Sequence, residues 1–193
     1  MLKVGICGTI GSGKSTVCHI FEDMGIPVYF ADDRAKVLMT SSVDLIAKIT
    51  EAFGEKCYND GALDRRYLAS QIFGDDSKRL LLNSIVHPAV CRDFVEWAES
   101  QKAAYVVVES AILFESGLDK VIDKSIAVIV PQQLALERAA ARDSADIEAI
   151  KARMAVQYSS EQLQSMADFV IENIYQSTLQ EQVAKVDAIL RKL

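Results

Sequence analysis

The part of the sequence best suited to do chemistry is a glycine-rich run that ends in a lysine and two hydroxyl residues. The run is Gly8-Thr9-Ile10-Gly11-Ser12-Gly13-Lys14-Ser15-Thr16, and its spacing matches G-x-x-x-x-G-K-[ST]. It follows a short apolar segment and precedes a helical pattern, which is the context that this motif requires. Residues 8–16 are called the phosphate-binding loop below.

The residue types at these offsets suit the phosphates of a nucleotide. Glycines let successive backbone N–H groups turn toward the anion, and the lysine reaches the β and γ oxygens. The first hydroxyl can bind Mg²⁺, and the helix that follows directs its positive dipole end at the phosphates. We assign ATP binding to Gly11, Ser12, Gly13, Lys14, Ser15 and Thr16, with Lys14 also catalytic and Ser15 also a metal ligand. Thr16 either contacts phosphate or only belongs to the first turn of the helix.

Two adjacent carboxylates, Asp32 and Asp33, follow the second predicted strand. Phosphates bind at the carboxyl edge of such a sheet, so a carboxylate at this point is well placed. In phosphoryl transfer to an alcohol, a carboxylate accepts the hydroxyl proton and orients the oxygen toward the γ-phosphate. Asp32 is therefore our candidate for the catalytic base and for acceptor binding. The alternative is that Asp32 only caps a helix that begins at Asp33.

Basic side chains recur in residues 132–157, directly after a predicted strand. Arg138 and Arg142 are four residues apart, so a helix places them on one face. Arginines brought over a transferring phosphate stabilise its charge, which predicts a short lid with Arg138 in catalysis and Arg142 in nucleotide binding. The alternative is an ordinary solvated helix in which Glu137 and Asp143 neighbour the arginines.

Two further residues have a functional and a structural interpretation. Glu109 ends the third predicted strand, where an acidic residue can hold Mg²⁺ or its water; the alternative is a simple strand-end acid. His87 precedes Pro88 and either contacts the acceptor or satisfies the start of a helix.

The elements that must position these residues alternate between strands and helices. Short apolar runs predict strands at 2–7, 27–29, 105–109, 125–130 and 169–171. Helices are predicted at 14–24, 44–53, 65–73 and 89–101, the third capped by Asp64 and the last preceded by Pro88. A capping box is predicted at Ser159. A final helix carries one apolar stripe formed by Leu179, Val183, Val186, Leu190 and Leu193. The alternation predicts a parallel sheet covered on both faces, with a helical excursion at about 32–101.

Composition limits the class of protein. The chain has 193 residues, half of them hydrophobic, which suits one domain with a sizeable core. A net charge of −6 disfavours nucleic acid as a partner. The four cysteines form no C-x-x-C pair, and no apolar run is long enough to span a membrane. We therefore expect a cytoplasmic protein with reduced thiols, acting as a monomer or weak homo-oligomer without a membrane partner.

A phosphate-binding loop alone leaves GTPases, motor ATPases, transporter ATPases and small-molecule kinases in contention. The sequence has no N-K-x-D segment for guanine and no L-S-G-G-Q transporter signature, and it is short for an oligomeric ATPase. These observations favour a kinase of a small metabolite.

Over nearly its whole length the sequence resembles the dephospho-CoA kinase family. Besides the loop, the resemblance rests on Ala31-Asp32, His87-Pro88-Ala89-Val90, Val108-Glu109-Ser110-Ala111-Ile112-Leu113-Phe114-Glu115, Glu137-Arg138, Arg142-Asp143 and Ala167-Asp168-Phe169-Val170-Ile171-Glu172-Asn173. The sequence departs from the family pattern at Cys7, Thr9 and Ala111, where Thr, Gly and Pro are common.

The resemblance implies an α/β P-loop kinase fold of three layers, with a five-stranded parallel sheet. It implies a single domain over residues 1–193, with a core at 1–31, 102–131 and 167–193, an acceptor-binding helical region at 32–101 and a lid at 132–166. It also implies that Asp32 is the base, Lys14 the phosphate-binding lysine, and Arg138 and Arg142 the lid arginines. The implied reaction moves the γ-phosphate of ATP, with Mg²⁺, to the ribose 3′-hydroxyl of dephospho-CoA. The alternatives are another small-metabolite kinase, such as a nucleoside monophosphate kinase, and a nucleotide-binding sensor without turnover.

Overall fold

The computed structural model describes residues 1–143 and 147–193. The chain divides into two compact units, one formed by Met1–Phe30 with Trp97–Leu193 and the other by Ala31–Glu96.

In chain order the strands of the described residues are β1 (Leu2–Cys7), β2 (Val28–Phe30), β3 (Tyr58–Asn59), β4 (Ala62–Leu63), β5 (Tyr105–Glu109), β6 (Lys124–Ile129) and β7 (Phe169–Glu172). The helices are α1 (Lys14–Asp23), α2 (Ala31–Ser41), α3 (Val43–Phe53), α4 (Arg65–Ile72), α5 (Asp76–Ser100), α6 (Gln132–Asp143), α7 (Ile147–Met154), α8 (Ser160–Met166) and α9 (Gln176–Leu190).

The first unit is built on a five-stranded sheet in the order β2-β5-β1-β6-β7, with every neighbouring pair parallel. The register places Ile6 of β1 beside Glu109 of β5 and Ile126 of β6. All five residues of β5 are buried, and since successive side chains point to opposite faces, both faces of the sheet are covered. The predicted α/β fold with a five-stranded parallel sheet is confirmed.

Helices α1 and α9 bury their apolar stripes against one face of this sheet. Val17 and Phe21 of α1 pack into the same cluster as Val4 and Ile126 of the strands. Four members of the predicted α9 stripe, Leu179, Val183, Val186 and Leu190, belong to that cluster too. The fifth, Leu193, was predicted wrongly: α9 ends at Leu190, and Leu193 beyond it is 68% exposed.

A buried polar contact secures α9 to the central sheet. The hydroxyl of Tyr105 on β5 donates to Asp187 Oδ1 at 2.7 Å, and Arg191 Nε donates to Asp187 Oδ2 at 2.8 Å. The carboxylate of Asp187, only 6% exposed as a residue, is thus matched by two donors. Buried charge of this kind is tolerated only when it is hydrogen-bonded.

The second unit is mainly helical, as expected for the excursion from the sheet. Asp64 caps α4 by accepting from Arg66 and Tyr67 backbone N–H groups, as the sequence predicts. A small antiparallel hairpin, β3 with β4, was not predicted. Its turn residues Asp60 and Gly61 have φ of 49° and 80°, the left-handed values that an Asp-Gly hairpin turn requires.

The prediction that a helix begins at Ala89 was wrong, because α5 runs from Asp76 to Ser100 with Pro88 inside it. An interior proline removes one helical N–H donor, here the one that would pair with the carbonyl of Ser84. Both Ser84 and Pro88 lie on the exposed face of α5, while Val86 and Val90 are buried. Burial of the apolar face on either side of the proline therefore holds one continuous helix.

Candidate active site

The phosphate-binding loop joins β1 to α1, as predicted. Gly11 and Gly13 adopt φ of 80° and 86°, a left-handed conformation that other residues rarely take. A Cβ on Gly11 would collide with the carbonyl oxygen of Ala135, and a Cβ on Gly13 would collide with the side-chain nitrogen of Asn173. Both glycines are therefore required by backbone conformation and by close packing.

Lys14 lies buried against the first residues of the phosphate-binding loop. Its Nζ donates to the carbonyl of Gly8 at 3.0 Å and of Thr9 at 3.3 Å. The same Nζ lies 3.8 Å from Oε1 of Glu109, the last residue of β5. Lys14 and Glu109 are each 8% exposed, so the two charges face each other in a site with little water.

The hydroxyl groups of the loop fall into two sets. Ser15 and Thr16 are exposed in the first turn of α1. The hydroxyl oxygens of Thr9 and Ser12 are buried, and within residues 1–143 and 147–193 the structure gives them no hydrogen-bond partner. Buried hydroxyls of this kind in a loop that turns its amides toward an anion suit phosphate oxygens as partners.

The two predicted Mg²⁺ ligands lie at either side of Lys14 in the fold: Ser15 in the first turn of α1, and Glu109 at the end of β5. The described part of the chain has no group of three or more His, Cys, Asp or Glu side chains that could hold a metal ion. A nucleotide-bound Mg²⁺ keeps several waters and takes only one or two protein ligands, the rest coming from phosphates. One hydroxyl and one carboxylate at the loop therefore fit this ion.

Arg138 on α6 lies half-buried and is bound to the backbone that follows β7. Its Nη1 donates to the carbonyl of Asn173 at 2.8 Å, and its Nη2 to the carbonyl of Ile174 at 3.4 Å. Asn173 in turn donates from Nδ2 to the carbonyl of Ser12 at 2.9 Å. The arginine is thus connected to the phosphate-binding loop through one residue. Arg142, four residues on, is exposed in the last turn of α6.

The segment after α7 also reaches the loop, through Gln157. Its Oε1 accepts from the backbone N–H of Ile10 at 3.2 Å, and its Nε2 donates to the carbonyl of Ala111 at 3.3 Å. Sequence reasoning missed Gln157, and it treated Asn173 only as part of a motif. An uncharged amide side chain gives no spacing signal, and its contacts become visible only in the folded chain. The capping box at Ser159, by contrast, is confirmed.

A cavity of about 900 Å³ lies beside the loop in the first unit. Thr9 lines it from the loop, and Leu136, Met154, Gln157 and Tyr158 line it from the predicted lid region. Most of the lining comes from the predicted lid region, 132–166, and the rest comes from Thr9, from 129–131, and from Glu172 and Ile174.

The second unit contains the other two predicted residues, Asp32 and His87. Asp32 is exposed in the first turn of α2, which begins at Ala31; the alternative that it caps a helix starting at Asp33 is wrong. His87 lies half-buried in the middle of α5, so the alternative that it satisfies a helix start is wrong too. Burial lowers the pKa of His87, and the negative charge of Asp32 partly opposes this.

Two side-chain contacts in this unit fix α2 against α5. Arg34 on α2 donates from Nε to Asp93 Oδ2 at 3.0 Å and from Nη2 to Asp93 Oδ1 at 2.8 Å. This two-point pairing is the geometry in which an arginine orients a carboxylate best. It holds the helix that carries Asp32 to the helix that carries His87.

The four cysteines are free thiols. Burial raises the pKa of Cys7, which directly precedes the loop, to about 12, and it raises that of Cys18 as well. Thiols held protonated in this way are poor nucleophiles, so neither residue is suited to covalent chemistry.

Comparison with known proteins connects this chain to one family. A family model described as Dephospho-CoA kinase matches residues 2–179. The chain is 42% identical to a dephospho-CoA kinase of Salinibacter ruber over 177 residues, covering 90% of this chain and 89% of that protein. It is 35% identical to one of Bacteroides fragilis over 190 residues, covering 98% of this chain and 93% of that protein.

Solved structures also resemble this chain. The protein TT1252 from Thermus thermophilus matches with a TM-score of 0.85 and 30% identity, over 100% of this chain and 97% of that one. Dephospho-CoA kinase from Campylobacter jejuni matches with a TM-score of 0.70 and 27% identity, over 98% and 97%. A shikimate kinase from Acinetobacter baumannii, 16% identical with a TM-score of 0.56 over 100% and 94%, shares the fold. Within the described residues, no helix is both long and apolar enough to cross a membrane.

Proposed function

The chain belongs to the dephospho-CoA kinase family, and from this premise we propose that it transfers the γ-phosphate of ATP to the ribose 3′-hydroxyl of dephospho-CoA. The products are coenzyme A and ADP, which makes this the last step of coenzyme A biosynthesis. The observation that carries the proposal is the complete phosphate-binding loop with Lys14 buried beside Glu109. A binding-only sensor and a nucleoside monophosphate kinase have no comparable support.

Lys14 acts on the phosphates directly. Its ammonium donates to two loop carbonyls, and exchanging these for β and γ oxygens keeps the same number of hydrogen bonds. Charge that develops on the transferring group is then met by a fixed cation in a poorly solvated site, where electrostatic stabilisation is strongest. The backbone N–H groups of the loop hold the remaining phosphate oxygens.

Ser15 and Glu109 would hold Mg²⁺, which when bound neutralises charge on the phosphate oxygens. The protein contributes a hydroxyl and a carboxylate at the loop, and Lys14 supplies the neighbouring positive charge.

Asp32 serves as the base that accepts the proton of the ribose hydroxyl. Its carboxylate is exposed at the start of α2, directly after β2, and is therefore open to an acceptor molecule. His87 carries a pKa lowered by burial, so it is a neutral imidazole near pH 7 and can donate or accept a hydrogen bond with the acceptor. Deprotonation as the O–P bond forms makes the hydroxyl an effective nucleophile.

Arg138 and Arg142 stabilise the charge of the transferring phosphate as parts of a lid. Arg138 is held by two carbonyls after β7, which fixes its guanidinium before any ligand arrives. An arginine fixed in this way loses less side-chain entropy when it meets a phosphate.

The proposed organisation is one domain over residues 1–193, with an acceptor-binding region at 32–101 and a lid at 132–166. Closing the lid would exclude water, which competes with the ribose hydroxyl for the γ-phosphate. We further propose that the protein acts in the cytoplasm as a monomer or weak homo-oligomer. The net charge of −6 supports small molecules rather than nucleic acid as its partners.

An acceptor panel tests the function. The purified protein is given ATP and Mg²⁺ with dephospho-CoA, AMP, CMP or shikimate in turn, and ADP release is followed. We expect ADP release above background with dephospho-CoA alone. Turnover with AMP, CMP or shikimate in place of dephospho-CoA would refute the proposal, and release that no acceptor stimulates would favour a sensor.

A further inference from the structure

Asn173 sits where the sheet, the phosphate-binding loop and α6 meet. Its backbone N–H donates to the carbonyl of Ile129 at 3.0 Å, which extends the pairing of β6 and β7 by one residue. Asn173 is 6% exposed. The main chain is therefore held by the sheet, and the side chain projects from a fixed point.

The side chain of Asn173 controls the direction of one peptide group in the loop. Its Nδ2 donates to the carbonyl oxygen of Ser12 at 2.9 Å, and the same nitrogen fills the space where a Cβ on Gly13 would lie. The Ser12–Gly13 peptide is trans, so its N–H points opposite to its C=O. Holding the carbonyl toward Asn173 therefore turns the N–H of Gly13 away from it.

The orientation of this peptide matters because the loop binds phosphate through backbone N–H groups. Gly13 is the glycine before the lysine in the motif. Because it has no Cβ, it can take a negative φ as readily as the observed 86°, so Gly13 itself does not fix the orientation of the peptide. A flipped peptide would present a carbonyl oxygen instead of an N–H, and the oxygen would repel the anion. A hydrogen bond to the carbonyl also polarises the peptide and makes its N–H a better donor.

Asn173 fixes a second group at the same time. Its carbonyl accepts from Nη1 of Arg138 at 2.8 Å, and the next carbonyl, that of Ile174, accepts from Nη2 at 3.4 Å. Asn173 thus fixes both the orientation of the Ser12–Gly13 peptide and the position of Arg138, which is 35 positions away in the sequence.

We infer that Asn173 is a positioning residue: its side-chain amide holds the Ser12–Gly13 peptide in the orientation that binds the phosphate chain of the nucleotide. The inference rests on the proposed function only in taking that phosphate chain to be the one of ATP. Asn173 touches no reacting atom, and it acts through the loop.

The test uses sodium tripolyphosphate, which presents a phosphate chain without a base or a sugar. Its affinity for the 193-residue protein is measured by titration calorimetry for wild type and for Asn173→Asp, which keeps the size but replaces the N–H donor by a carboxylate oxygen. We expect the affinity to fall at least about tenfold while the melting temperature stays near that of wild type. In turnover with ATP and dephospho-CoA, we expect KM for ATP to rise and KM for dephospho-CoA to stay within about twofold.

Gln182→Glu is the matched control. Gln182 also holds the end of β7 through its side-chain amide, with Nε2 donating to the carbonyl of Glu172 at 2.9 Å and Oε1 accepting from its N–H at 2.9 Å. The same amide-to-carboxylate change there should leave tripolyphosphate affinity within about twofold. Asn173→Ser, uncharged and too short to reach Ser12, is the second variant. Because the new carboxylate of Asn173→Asp would itself repel tripolyphosphate, only a loss that both variants show counts for the inference, and Asn173→Ser decides alone if Asn173→Asp does not fold.

Wild-type affinity in the folded Asn173 variants would overturn the inference. An equal loss in Gln182→Glu would also overturn it, because loosening the end of β7 would then explain both effects. Failure of the proposed function gives a different pattern: wild type binds tripolyphosphate but makes no coenzyme A, and the titrations still decide the role of Asn173.

Discussion

The Nζ atom of Lys14 lies 3.8 Å from Oε1 of Glu109, and both residues are almost fully buried. The contact joins the first residue of α1 to the last residue of β5, the neighbour of β1 in the sheet. It places a cation and an anion together at the base of a loop shaped for phosphates. An ATP-dependent kinase needs both, the cation for the phosphates and the carboxylate for the metal ion.

Replacing Lys14 by Ala should lower kcat/KM by about 10²-fold or more, equivalent to about 3 kcal/mol of transition-state stabilisation. The loss arises because no other group described at the loop carries an ammonium to the γ-phosphate. Steady-state kinetics with dephospho-CoA measures it. Lys185→Ala, which removes an exposed lysine paired with Glu181 on α9, should change nothing. A Lys14→Ala enzyme with wild-type kcat/KM would exclude Lys14 from catalysis.

Replacing Asp32 by Asn should lower kcat about 10²-fold or more while ATP affinity stays nearly unchanged, because the amide cannot accept the hydroxyl proton. Single-turnover kinetics and ATP titration separate the two effects. Asp33→Asn is the control, since Asp33 is an exposed carboxylate in the same helical turn and pairs with Lys36 at 2.7 Å. Equal effects of the two substitutions would point to the charge of the helix start rather than to a base.

Replacing Glu109 by Gln should raise the Mg²⁺ concentration for half-maximal activity by about tenfold, as expected when a carboxylate near a metal is lost. A Mg²⁺ titration of the rate at saturating ATP measures this, and Glu181→Gln on the surface of α9 is the control. If a folded Glu109→Gln protein keeps the wild-type Mg²⁺ dependence, Glu109 is only a strand-end acid.

The stability of the protein should fall as the pH is lowered through the usual pKa of histidine, 6.5. Burial lowers the pKa of His87 in the folded state, and the charge of Asp32 partly opposes this. At a pH between the lowered pKa of the folded chain and the ordinary pKa of the unfolded chain, the unfolded chain therefore binds more protons. More protons on the unfolded chain mean a smaller free energy of unfolding at lower pH. His87→Gln should flatten this dependence in urea unfolding between about pH 8 and pH 5.

His19→Gln is the matched control for the pH experiment, because His19 and His87 are the two histidines of the chain and His19 lies exposed on α1 beside Glu22. The His19→Gln protein should still show the decrease in the free energy of unfolding with falling pH that His87 causes. A slope that His87→Gln leaves unchanged would show that other groups cause it.

Local sequence signals predicted the loop and the sheet because both depend on short-range patterns. The motif fixes the residues of the loop, and β-branched runs such as that of β5 are stable only between two covered faces. Prediction failed where a local signal and tertiary packing favour different structures. Pro88 predicts a helix boundary, but burial of the apolar face of α5 stabilises one helix that continues past Pro88. Asp60-Gly61 is a sequence signal for a hairpin turn, but it was not used because the surrounding segment was interpreted as helical.

The side-chain contacts at the site could not be predicted from the spacing of residues in the sequence. Asn173 hydrogen-bonds to Ser12, which is 161 positions away in the sequence, and Gln157 hydrogen-bonds to Ile10, which is 147 positions away. Which amide lies beside which carbonyl depends on how the strands are ordered in the sheet, and no periodicity encodes that order. Asp32 and Arg138 were identified as candidates by type and position, while the carbonyl partners of Arg138 became visible only in the structure.

The most direct test of the proposed reaction is mass spectrometry of the product formed from dephospho-CoA, ATP and Mg²⁺ by the wild-type protein. If the chain is a dephospho-CoA kinase, the product carries one added phosphoryl group, located by fragmentation on the ribose 3′-oxygen, and ADP forms in equal amounts. Unmodified dephospho-CoA after full incubation, or a phosphoryl group at any other position, would contradict it.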